Sequence, residues 1–251
     1  MTPAQIALLA AAGLVGALMG TAGGVTSLVT YPALLLVGIP PLTANVTNIV
    51  AVVSCWPAST IASQPELAGR GRWLWRWVPW SCVAAVAGSI LLLTTPATVF
   101  TRVVPFLVLS GAVALVLQPR LFALRRNVPA DGGIVGMGAG IGVISLYNGY
   151  FGAASGVMTL ALLLLTMRVS VPVANALKNM LIGSASLVSA VAFVLFTHVA
   201  WLAVIPLAAG EFVGALLGPR LTRRMRAGVL RWVAALLAVV LAVELWVNPT
   251  L

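Results

Sequence analysis

The chain has 251 residues, of which 61% are hydrophobic and only 7% charged; mean hydropathy is +1.12 and formal net charge +10. A soluble domain of this size needs roughly a quarter of its residues charged, so lipid must cover most of this one, and it reads as an integral membrane protein. The positive charge does not point to nucleic acid, because the arginines sit in short gaps between apolar runs.

The first apolar run, 4–20, has no basic residue ahead of it, so it reads as a first membrane segment and not as a cleaved signal peptide. Runs at 24–38, 43–62, 74–95 and 98–118 follow, then 132–150, 156–167, 173–197, 199–218 and 228–247. A helix needs about 20 residues to cross a bilayer. Runs 24–38 and 156–167 fall short of that; they read as tilted helices, half-helices or arms of re-entrant hairpins. Cys55 and Cys82 lie within or beside apolar runs, as small buried hydrophobes do.

Arg70, Arg72 and Arg76 follow the third run, Arg120, Arg125 and Arg126 the fifth, and Arg168 the seventh. Arg220, Arg223, Arg224, Arg226 and Arg231 surround the connection from the ninth to the tenth. All follow odd-numbered runs, so they share one side, expected to be cytoplasmic, and both termini are expected outside. The parity survives if two pairs of runs form hairpins. Trp73, Trp75, Trp77 and Trp80 beside those arginines read as an interfacial belt, and the "PRLTRRMR" run as an anchor that touches anionic lipid.

The stretch "GTAGGVTSLVTYPALLLVGIPPLTANVTN" (20–48) holds four glycines, three prolines, two asparagines and five threonines. It returns in the second half. "GTAGGV" matches "GAASGV", pairing Gly24 with Gly156; "PLTANVTN" matches "PVANALKN", pairing Thr47 with Lys178 and Asn48 with Asn179. Each half holds five runs, an odd number, so the second half enters from the opposite side. The expected fold is an all-α polytopic membrane protein of two inverted repeats, 1–118 and 132–251. A basic cytoplasmic linker at 119–131 joins them, and short or broken helices meet at the repeat interface. Irregular backbone at membrane depth is tolerated where protein or a water-filled cavity satisfies it. A helix that restarts after a break offers free N–H groups and a positive dipole end, which suits an anion. The helix starts are expected at Asn45–Asn48 and Ala176–Asn179.

Two ionisable side chains stand out inside the membrane. Lys178, the one lysine, either snorkels to the interface or attracts an anion. Glu211, in "PLAAGEFVGALLG", is protonated or paired there: an ion pair with Lys178, a proton-coupling group and plain burial all remain open. His198 and Arg102 read as outer interfacial residues. No metal or nucleotide motif is present and no catalytic set gathers, so no cofactor and no enzyme activity are expected.

These residues resemble the sulfite exporter TauE/SafE family. The resemblance rests on the 20–48 stretch with its lead-in "GLVGALM", on "YNGYFGAASGV" and on "GEFVGALLGPRLTRRM". It implies a two-half carrier in the cytoplasmic membrane for small sulfur-containing anions, sulfite or organosulfonates, with export the expected direction. It places the first family motif on Gly20, Gly23, Gly24, Pro32, Pro41, Asn45, Thr47 and Asn48, and the second on Tyr147, Gly149, Tyr150, Phe151, Gly152 and Gly156. Asn148 and Ser155 depart from the glycines of that second motif, and Lys178 stands opposite Thr47. The expected substrate site is therefore Gly23, Gly24, Asn45, Thr47, Asn48, Tyr147, Asn148, Tyr150, Ser155, Gly156, Lys178 and Asn179. Glu211 is the expected coupling group for a proton or ion. Expected partners are the small anion and membrane lipid, with oligomeric state open. The alternative is a transporter or channel for another small solute, and behind that an intramembrane enzyme.

Overall fold

A computed structural model describes residues 1–124 and 134–222. Arg125, Arg126, the rest of the linker to 131, Arg223 onward and the tenth run lie outside the described residues. Within them every regular element is an α-helix: α1 (Pro3–Gly23), α2 (Thr26–Leu36), α3 (Pro41–Val52), α4 (Cys55–Ala62), α5 (Gln64–Leu67), α6 (Gly71–Thr94), α7 (Ala97–Leu124), α8 (Ile134–Tyr150), α9 (Ser155–Thr166), α10 (Val171–Phe196) and α11 (Trp201–Thr222). Among the described residues four helices are long and apolar enough to cross a membrane: α1, α6, α10 and α11.

The first two helices form a hairpin. Thr2 caps α1, its hydroxyl accepting from the Gln5 N–H at 3.3 Å while the Gln5 side chain accepts from the Thr2 N–H at 2.8 Å, and Pro3 fits the first turn. Gly24 ends α1 at φ +87°, a left-handed conformation open to glycine at little cost, and its N–H donates to the Gly20 carbonyl at 2.6 Å. The chain then doubles back. A methyl on Gly16 would stand 2.8 Å from Thr30 Cγ2, and Gln5 Nε2 donates to the Val37 carbonyl at 3.5 Å. At 1.5 Å per residue the 11 residues of α2 rise about 16 Å, about half a bilayer core. The run 24–38 is thus the short arm of a hairpin.

A second hairpin joins α8 and the 12-residue α9, where a methyl on Gly140 would meet Leu162 at 2.7 Å. Its turn contains Gly152 at φ +81° and Ala154 at φ +62°. The two turns abut backbone to backbone. A methyl on Gly24 would fall 2.3 Å from the Gly156 carbonyl carbon, and one on Gly156 would fall 2.6 Å from Gly24 Cα.

The apolar run 43–62, expected as one segment, is divided. The helical ladder slips at Val53–Ser54, where Ser54 N bonds Ala51 O and Trp56 N bonds Val53 O in three-residue steps. Pro57 supplies the reason, because it lacks an N–H and crowds the carbonyl four residues back, that of Val53.

Small residues let the long helices pack closely. α1 lies on α11, where methyls on Gly13, Gly210 and Gly214 would come within 2.3 Å of the carbonyl oxygens of Leu207, Ala10 and Leu14. α6 lies on α8 in the same manner, with Gly88 against Leu146 O and Gly149 against Ala85 O. Tyr31, Phe100 and Phe151 fill the core near the hairpin turns, with Tyr31 edge-on to Phe151 at 5.4 Å. The tryptophan belt needs one correction. Trp75 is 84% exposed, but Trp77 is buried with Met137, Ile141 and Leu181, because it falls on the face of α6 that meets α8 and α10. Arg102 and His198 are exposed, as expected for interfacial residues.

Candidate functional site

Both hairpin turns and the α3–α4 break border one buried cavity of about 60 Å³. That volume holds a few water molecules or one small solute. Thr26 and Ser27 bring the N-terminus of α2 to it, and Ser155 and Gly156 bring that of α9. The first N–H groups of a helix lack intrahelical partners, and the dipole end there is positive. The α4 side contributes Cys55, Trp56 and Ser59, and α10 contributes Lys178, Asn179 and Ser186.

Lys178 is 2% exposed, and its ammonium donates to the carbonyls of Gly20 at 2.9 Å and Thr21 at 3.5 Å. These are among the last carbonyls of α1, so a cation there also answers the negative end of that helix. Asn179 Nδ2 reaches Thr21 O at 3.4 Å, and Asn175 Nδ2 binds the same carbonyl. Asn148 Oδ1 accepts from Ser155 Oγ at 2.7 Å while its amide donates to Ser186 Oγ at 3.2 Å, which ties α8, α9 and α10 together at the wall. The Trp56 indole N–H is buried and donates to nothing among the described residues. Among the described residues no acid lines the cavity. One lysine and two helix N-termini thus stand around the cavity, groups of the kind that favour negative charge.

Comparison with known proteins gives the family. The profile described as sulfite exporter TauE/SafE matches residues 6–245, nearly the whole chain. The chain belongs to the sulfite exporter TauE/SafE family. Among curated relatives, a "probable membrane transporter protein" of Haemophilus influenzae is 25% identical over 86% of this chain and 84% of its own. "Probable membrane transporter protein ORF9" of Sinorhizobium sp is 26% identical over 97% of this chain and 92% of its own. "Probable membrane transporter protein YfcA" of Escherichia coli K12 is 24% identical over 92% and 86%. No solved structure matches. With its apolar helices, this TauE/SafE protein is an integral membrane transporter.

In this TauE/SafE protein, six of the residues expected at the substrate site line the cavity: Gly24, Asn148, Ser155, Gly156, Lys178 and Asn179. The other six stand outside it. Asn48 lies behind, its Oδ1 accepting from Thr30 Oγ1 and its amide donating to Ser27 Oγ at 2.9 Å, so it holds α2 in place. Asn45 donates to the Tyr150 carbonyl at 3.0 Å and so caps the end of α8. Thr47 Oγ1 accepts from the Ala200 N–H at 3.2 Å and anchors the start of α11. Tyr147 donates to Leu107 O at 3.4 Å, Tyr150 packs on Phe100, and Gly23 faces open space.

One expectation is corrected and one open alternative is closed. Helices do not start at Asn45–Asn48 or Ala176–Asn179, because Pro41 and Pro172 sit in the opening turns of α3 and α10 and begin those helices earlier; the starts at the cavity belong to α2 and α9. Nor does Glu211 pair with Lys178. Glu211 is fully buried on α11 behind Cys55 and beside Ser54, and neither carboxyl oxygen accepts a hydrogen bond among the described residues. Sequence reasoning missed Thr21, Thr26, Ser27, Cys55, Trp56 and Ser186. The signal for Trp56 was Pro57, a helix breaker inside an apolar run.

Proposed function

We propose that this protein is a secondary transporter that exports a small sulfur-containing anion, sulfite or an organosulfonate, by alternating access. The observation that carries this reading is the cavity where two helix N-termini meet Lys178 and no acid. An oxyanion there would accept from the terminal N–H groups of α2 and α9, from Trp56 and from Lys178. The family description names sulfite export, which favours that substrate and direction.

The inverted-repeat reading has support in reciprocal packing. α1 packs on α11 while α6 packs on α8, and these two pairs exchange under the repeat offset. Asn45 on α3 caps α8, while Asn175 on α10 binds the end of α1. Such halves can rock so that the cavity opens to either side. The basic loops face the cytoplasm in this reading, with both termini outside. Glu211, buried and with no hydrogen-bond partner among the described residues, one thiol away from the cavity, takes the coupling role for a proton or ion.

The test is uptake of labelled sulfite into proteoliposomes, with sulfate and an organosulfonate beside it, with and without a pH gradient. Sulfite or organosulfonate flux above that of empty liposomes supports the reading. No flux of any of the three from folded protein refutes the sulfur substrate.

A further inference from the structure

A second cavity lies at the opening of α6, where it meets α8, and the transport reading does not use it. It is an open depression of about 640 Å³, bordered by Arg70, Arg72 and Arg76 and walled by Trp73, Trp77 and Met137. No acid lines it. Three guanidinium groups around one concavity repel each other until an anion enters, and guanidinium binds phosphate through paired, directed donors. Arg76 lies over the Trp77 ring, 5.1 Å from its centroid. The ring is itself held by packing, at 7% exposure, so the wall is firm. The Trp73 indole N–H is buried and has no acceptor among the described residues. Acceptor oxygens placed here would neutralise the arginines together.

We infer that this cavity binds the phosphate headgroup of an anionic phospholipid. Its place in the fold selects a lipid over a free anion. α6 is long and apolar enough to cross a membrane, and Arg72 to Trp77 are its first turns, where a crossing helix meets the headgroups. Past the cavity the same helix pair presents exposed apolar side chains, Trp80 and Val83 on α6 with Val143 on α8, against which acyl chains can lie. A free oxyanion has no use for that surface. The site acts as a clamp, fixing the α6–α8 pair to the bilayer interface.

The experiment is native mass spectrometry of the full-length protein in detergent with dioleoyl phosphatidylglycerol or dioleoyl phosphatidylcholine. It compares wild type with R72Q/R76Q and with R102Q, an exposed arginine elsewhere. Wild type and R102Q should retain phosphatidylglycerol over phosphatidylcholine, and R72Q/R76Q should lose affinity by roughly thirtyfold, from the two charges removed. Both altered side chains are exposed, and thermal unfolding gives a second reading. Phosphatidylglycerol should raise the midpoint of wild type and not that of R72Q/R76Q, while the midpoints in phosphatidylcholine coincide. Equal retention of both lipids by wild type, or unchanged phosphatidylglycerol retention in R72Q/R76Q, overturns the proposal. Displacement of the lipid by inorganic phosphate or sulfite also overturns it, and would make the cavity a free-anion site.

Discussion

Replacing Gly24 by alanine puts a methyl group where the second hairpin already lies. The new carbon would sit 2.3 Å from the Gly156 carbonyl carbon and 2.4 Å from Val157 N, against about 3.5–4.0 Å for ordinary carbon contact. Neither neighbour is a side-chain tip that can turn away; both are backbone. Overpacking of this kind costs about 1–3 kcal/mol, and the left-handed conformation at φ +87° adds about 1–2 kcal/mol for a residue with a Cβ. The expected loss is about 2–5 kcal/mol, with the hairpin tips forced apart and the cavity misshapen. Two neighbours separate the contributions. Gly38 shares φ +87° but has nothing within 4 Å, so Gly38→Ala should show the backbone cost alone, about 1–2 kcal/mol. Gly23 has open space and no positive φ, so Gly23→Ala should change stability little. Thermal unfolding in detergent, with labelled-sulfite flux alongside, reads all three. If Gly24→Ala behaves like Gly38→Ala in both measurements, the two hairpin turns are not in contact and the reasoning fails.

Three further perturbations probe the cavity and its surroundings. Lys178→Met should lower sulfite flux by at least about tenfold, since a charged hydrogen bond is worth ~1.5–3 kcal/mol. It should leave the unfolding midpoint nearly unchanged, because relief of a buried charge offsets the lost contacts with Gly20 and Thr21. Asn48→Ala removes its bonds with Thr30 and Ser27, about 0.5–1.5 kcal/mol each, and should cost about 1–3 kcal/mol in thermal unfolding, with a smaller effect on flux than Lys178→Met. Glu211→Gln keeps the side chain's shape while removing its acid. Downhill sulfite flux should persist and its response to a pH gradient disappear; an unchanged response would take Glu211 out of coupling.

The spans were largely legible in the sequence, because apolar length and arginine gaps are set by the bilayer itself, and the described helices follow the expected runs closely. The glycine, proline and asparagine clusters marked where the chain breaks. They did not say which face of each helix turns to the cavity. Asn45, Thr47 and Asn48 are as polar as any site residue, yet each spends its side chain on a neighbouring helix: capping α8, anchoring α11 and bracing α2. Asn179 and Lys178, aligned with Asn48 and Thr47, do face the cavity. The aligned positions therefore share a place in the fold and differ in task. The break at Val53–Ser54 was carried by Pro57 alone, hidden in a run whose hydropathy never drops. The Lys178–Glu211 pair, one of the readings left open for Glu211, rested on depth, which says nothing about the helix standing between two residues. Cys55 and α4 stand there.

The substrate location is tested most directly by labelled-sulfite flux from one set of reconstituted variants that separates residues lining the cavity from expected residues outside it. Lys178→Met and Asn179→Ala alter the lining, while Tyr147→Phe removes only a hydroxyl that donates to Leu107 O away from it. Flux should fall sharply in the first two and stay near wild type in the third, at equal amounts of folded protein. Normal flux in Lys178→Met and Asn179→Ala, with loss in Tyr147→Phe, would place the transported anion elsewhere and contradict the assignment.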